Sequence, residues 1–174
     1  MRNTFFFLLI LCLLTSCNNG NKNVTDDPAV KKVKKQAIRV AEDYAKGKLK
    51  DAKKSVDKDG IIKLTGNGIV YFIDPSRIVM GEIDEDSDKD AIVPLYVFRE
   101  QTPLLTEHLV LINKEGKLTN VKVMDNVLKI IAIKERMIFA EVSKVASDAP
   151  SFGCEICREV VKYQFSGDTL SLIK

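Results

Sequence analysis

The sequence predicts an α+β fold: an N-terminal amphipathic helix followed by an antiparallel β-sheet of about ten short strands. Three observations predict it. Apolar residues Val30, Val33, Ala37, Val40, Ala41, Tyr44 and Ala45 recur at three- and four-residue steps, which forms one stripe of a helix. After Gly60 the pattern changes to short runs rich in β-branched and aromatic residues. Turn-forming residues separate these runs at roughly ten-residue spacing, the signature of antiparallel strands. The acidic stretch at residues 82–90 is not repeated elsewhere, so a multi-blade propeller is not expected.

The helix starts at Pro28, a residue suited to a first helical position, behind the possible caps Asp26 and Asp27. Gly47 weakens it, after which Leu49, Ala52 and Val56 extend the stripe to about Asp57. Ile61–Thr65 and Ile69–Ile73 flank Gly66-Asn67-Gly68, a hairpin turn of residues tolerant of positive φ. Ile78–Ile83 enters an acidic loop, Ala91–Phe98 leaves it, and Pro103 marks a turn. Leu109–Ile112 and Leu118–Val123 flank the turn at residues 113–117, Val127–Ile133 and Met137–Val142 flank the one at 134–136, and Arg158–Phe165 and Thr169–Ile173 form a last hairpin. The helix stripe is expected to pack on one face of the sheet.

Residues 1–16 lie ahead of all this. Arg2 leads into an apolar run, Phe5–Leu14, with the length of a signal-peptide core and too short to span a bilayer. Leu14-Thr15-Ser16-Cys17 then resembles a bacterial lipobox, which implies cleavage before Cys17 and lipid on its thiol. Several acyl chains there anchor a protein stably. Residues 17–27, rich in Asn, Gly and Asp, form a flexible tether, and 28–174 form a single α+β domain. Asn18 is not the aspartate that signals inner-membrane retention, so the outer membrane is favoured, facing the periplasm.

The net charge of +3 is modest and concentrated in Lys31, Lys32, Lys34, Lys35, Arg39 and the lysines to Lys58. With this compartment it excludes a nucleic-acid partner. The basic face reads as the solvated side of a core-packing helix. Its apolar stripe of Val and Ala would insert weakly into lipid.

The acidic loop carries the clearest chemistry. Glu82, Asp84, Asp86, Asp88 and Asp90 alternate between two apolar strand arms. Their mutual repulsion opens the loop unless a hard cation closes it, and Ca²⁺ takes about six to eight such oxygens. The stretch resembles the calcium-binding hairpin loop of FG-GAP and VCBS-type repeats, written Gly-Asp-Leu-Asp-Gly-Asp-Gly-Lys-Asp-Asp-Ala-Val-Val. Glu82, Asp84, Asp86 and Asp90 fall on its acids, Asp88 falls on a backbone-carbonyl position, and Ala91-Ile92-Val93 match the exit strand. Glu85 and Ser87 replace its glycines, and Glu82 replaces an aspartate. An EF-hand fits worse, since its sixth and twelfth positions counted from Asp84 are Lys89 and Leu95. More loosely, Gly81–Leu172 is similar to uncharacterised envelope lipoproteins carrying one such loop, a resemblance that implies architecture rather than a reaction.

Cys154 and Cys157 are expected to form a structural disulfide in an oxidising compartment. Closing so small a ring contributes only about 2 kcal/mol. Their neighbours lack the strand-to-helix context of a redox site, and His108 supplies at most one further zinc ligand. His108 itself, beside Glu107 on an apolar strand, is expected to be a satisfied strand-edge residue rather than half of an acid–base pair. No catalytic residues are assigned. The sequence therefore points to a lipid-anchored, non-catalytic binding or structural module with Ca²⁺ in the 82–90 loop and an envelope protein as possible partner. A periplasmic inhibitor or immunity-type lipoprotein is the alternative, ahead of a metal-dependent hydrolase.

Overall fold

A computed structural model describes residues 27–125, 127–145, 154–167 and 169–173; the leader, Cys17 and the tether up to residue 26 lie outside them. The described residues are mostly antiparallel β-structure with one α-helix. α1 (Pro28–Lys48) is followed by β1 (Lys53–Val56), β2 (Ile62–Gly66), β3 (Ile69–Ile73), β4 (Val79–Gly81), β5 (Asp90–Arg99) and β6 (Thr102–Lys114). Then come β7 (Lys117–Met124), β8 (Val127–Lys134), β9 (Met137–Ser143), β10 (Arg158–Ser166) and β11 (Thr169–Ile173).

These strands form two sheets where one was expected. The larger has the order β1-β2-β3-β5-β6-β7, with β4 beside the first part of β5; the smaller runs β11-β10-β9-β8. The reason lies in β5 and β6. Along β5, Ala91, Val93, Leu95 and Val97 bury against α1, while Ile92 turns to the second sheet. Along β6, Leu109 and Leu111 face α1, whereas Val110 and Ile112 face Ile130, Ile138 and Ala140 of the smaller sheet. Side chains alternate across a strand, so a continuous apolar run is a strand buried on both faces. The result is three layers: helix, large sheet, small sheet.

Asp27 caps α1 by accepting the Ala29 amide at 2.8 Å. Ala37, Ala41 and Ala45, all fully buried, let the helix lie close on the sheet. The helix ends at Lys48 and does not continue to Asp57. Leu49 is extended and buried, Asp51 takes a left-handed φ of 54°, and the chain turns back as β1, where Val56 is exposed. Lys50 donates its amide to Asn67 Oδ1, and a Cβ on Gly66 would run into the Lys50 carbonyl oxygen. Gly66 is thus needed for this close crossing. Pro103 also differs from expectation: it lies within β6 opposite Phe98, and the turn falls at residues 100–101, with Glu100 at φ 55°.

The large sheet is wider than the small one. On the face of β3 and β5 turned away from α1, Val70, Phe72, Tyr96 and Phe98 stay half-buried, with Phe72 and Phe98 in edge-to-face contact at 5.4 Å.

Candidate functional site: the acidic loop and the inter-sheet cleft

Gly81 and Asp90 pair across β4 and β5, which makes residues 82–89 a closed loop at one end of the large sheet. Asp90 holds it shut. Its carboxylate is fully buried, with Oδ2 accepting the Ile83 amide at 2.6 Å and Oδ1 accepting the Asn113 amide at 2.8 Å. The Asn113 side chain donates in turn to the Lys89 carbonyl at 3.2 Å, and Ile83 buries its side chain in the inter-sheet core. Gly81 lies against β8 of the small sheet. A Cβ there would stand 2.7 Å from Cβ of Ile133 on β8.

Within the loop, Asp84 Oδ1 accepts the Asp86 amide at 3.1 Å and Asp86 Oδ1 accepts the Asp88 amide at 2.8 Å. Two successive side-chain turns therefore curl the backbone. Glu82 pairs with the Lys89 ammonium at 2.8 Å, and Arg136 donates to the Glu85 carbonyl at 3.4 Å. The five expected ligands thus separate into three roles: Glu82 faces a lysine, Asp90 faces two amides, and Asp84, Asp86 and Asp88 line the curl. Among the described residues, no three His, Cys, Asp or Glu side chains converge as metal ligands. Burial pushes the Asp90 carboxyl up to about 6 against the pull of its hydrogen bonds from backbone amides. Burial, with the charge of Asp86 added, raises Asp84, while the Lys89 hydrogen bond lowers Glu82.

The second candidate was not visible as a cluster in the sequence. Where the small sheet stops short, a cleft of about 380 Å³ opens between β8 and the large sheet. Its wall includes His108, Tyr96, Pro94, Ser76, Arg77 and Lys129. His108 lies on an interior strand, opposite Pro94 of β5 and Met124 of β7, and is only 2% exposed. Among the described residues its Nδ1 has no hydrogen-bond partner. It is therefore neither at a strand edge nor satisfied, as the sequence had suggested, because the strand order places β7 beyond it. Burial pulls its pKa down to about 4, so the ring is neutral at pH 7.

Strand alternation also separates His108 from Glu107. Glu107 faces the helix, where it bonds to Tyr44, and burial raises it against that bond and the Lys48 charge. Burial pushes Tyr44 up to about 12, and the Glu107 charge adds to the effect. The two neighbours in sequence are no acid–base pair in space.

Cys154 and Cys157 are 5.3 Å apart at Cα and joined by a disulfide next to the 3₁₀ turn that opens β10. Arg77, Tyr96 and Lys129 carried no sequence signal, since each is an ordinary strand or turn residue until the two sheets meet. No helix among the described residues is long and apolar enough to cross a membrane. No protein-family model, curated protein or solved structure matches this chain.

Proposed function

We infer that this chain is a lipid-anchored protein of the cell envelope that works without catalysis, as a binding or structural module with one structural Ca²⁺ in the 82–90 loop. The body is read as a single domain over 28–174 with α1 as its N-terminal helix, tethered through lipid on Cys17 to the outer membrane and facing the periplasm.

The loop geometry carries the reading. Asp90 fixes both ends of the loop to buried backbone, so the curl bearing Asp84, Asp86 and Asp88 is preset rather than open. Three carboxylates on one curl repel, and burial together with Asp86 already raises Asp84. A hard divalent cation relieves that repulsion and takes carbonyl oxygens beside the carboxylates. In this arrangement Asp90 acts behind the ion as the strut of the loop, and Glu82 joins the ligand set by releasing Lys89. The separation of Glu107 and His108 onto opposite faces supports binding over catalysis.

Calorimetric titration of the full chain in detergent with Ca²⁺, beside an Asp84→Ala, Asp86→Ala double variant, tests this. One saturable site lost in the variant is the expected result. No heat and no calcium-dependent rise in Tm would remove the ion from the account. A Cys17→Ser variant that still incorporates labelled palmitate would remove Cys17 as the lipidated residue.

A further inference from the structure

We propose that the cleft between the two sheets binds a small organic anion, an apolar body carrying one carboxylate or sulfonate group. The proposal rests on the reading of the chain as a binding module but not on the calcium loop. Three features of the cleft converge on this ligand class. Its volume of about 380 Å³ suits a small molecule and is too small for a folded partner. Ile78, Val79, Leu128 and Ile130 give it apolar walls. Two cations, Arg77 and Lys129, belong to its lining, and no carboxylate does.

Among the described residues those cations are not strongly engaged elsewhere. Arg77 meets Asp74 only at 3.7 Å, and Glu141, opposite Lys129 in strand register, is held by Arg158 at 3.0 Å. His108 adds the specific element. A neutral imidazole has one N–H and one lone pair, and here a nitrogen is buried without a partner. Buried polar groups in folded proteins are almost always paired; of the three buried side-chain atoms without a partner among the described residues, Glu107 Oε2, His108 Nδ1 and Asn113 Oδ1, only that of His108 belongs to a residue of the cleft wall. A metal ion is the poorer occupant, because His108 stands alone there without an acid or a cysteine.

His108 is the only histidine in the chain, so the ¹⁵N imidazole spectrum of a preparation without a histidine tag reports on it alone. The probe is 8-anilinonaphthalene-1-sulfonate, with neutral N-phenyl-1-naphthylamine as the uncharged counterpart. The full chain in detergent is expected to bind the sulfonate one-to-one, with movement of the His108 signals. An Arg77→Ala, Lys129→Ala variant, altered only at exposed or rim side chains, is expected to weaken the sulfonate about tenfold and the neutral probe less than about twofold. His108 signals unmoved at saturation, or equal loss of both probes in the variant, would overturn the proposal. Calcium titration of the same sample keeps the two readings apart. Sulfonate binding in a chain that takes no calcium overturns the loop alone, and calcium uptake with unmoved His108 signals overturns the cleft alone.

Discussion

Asp90 and His108 are both buried, titratable side chains on neighbouring interior strands, yet the fold treats them in opposite ways. Asp90 has a backbone amide for each oxygen; among the described residues His108 has no partner for Nδ1. The first arrangement is structural, since both carboxylate oxygens of Asp90 are satisfied by the loop and strand it joins. The second leaves a buried polar atom unpaired beside an open cleft, a cost to stability that a ligand would recover. Burial of a charge-capable group therefore says little about its role until its partners are known.

Removing the satisfied group should have the largest effect. Asp90→Ala leaves the Ile83 and Asn113 amides without acceptors in the buried base of the loop. Urea unfolding should show a loss of roughly 3 kcal/mol. A variant as stable as the parent would mean that water or another group replaces the carboxylate, and the strut role would fall.

Acid sharpens the comparison, because the two groups act in opposite directions. The folded pKa of His108, about 4, lies below its ordinary value of 6.5, so the unfolded chain binds the proton more readily. Its contribution is complete above pH 6.5 and is lost as the pH falls toward 4, on the order of 3 kcal/mol. Asp90 is raised from 3.8 to about 6, so its contribution grows as the pH falls through the same window, and the raised Asp84 and Glu107 act likewise. The parent profile is therefore a partial cancellation. Subtracting the unfolding profile of His108→Leu should expose the histidine slope between pH 6.5 and 4; parallel profiles would contradict a buried neutral ring.

Two smaller effects test how the loop is mounted. Gly81→Ala drives a Cβ against Ile133 where the sheets meet and should cost about 1 to 3 kcal/mol, partly restored by Ile133→Ala. Lys89→Ala breaks only an exposed pair with Glu82. It should leave the unfolding midpoint unchanged within error while tightening calcium binding, since it frees one more carboxylate. Weaker calcium binding in that variant would exclude Glu82 from the ligand set.

Much of the fold was legible because local rules agreed. The alanine and valine stripe specified α1, and the Asn67-Gly68 turn and the apolar runs specified most strands. What escaped depended on contacts distant in sequence. The uninterrupted apolar character of β5 and β6 reflects burial on two faces, but which elements cover each face is not written in the run itself. The helix end is set by Asp51 and by Lys50 reaching Asn67, not by Gly47. In the acidic loop the acids were visible, but not their partners, because Asn113 is supplied from 23 residues away. His108 was misread for the same reason: a strand edge is a property of the sheet, not of the strand.

The unfolding free energy of His108→Leu at pH 7, read together with its sulfonate binding, tests the contrast most directly. A ring kept for a ligand predicts stability equal to or above that of the parent and weakened binding of the sulfonate. A loss as large as that of Asp90→Ala, with binding intact, would make His108 a structural residue and contradict the account.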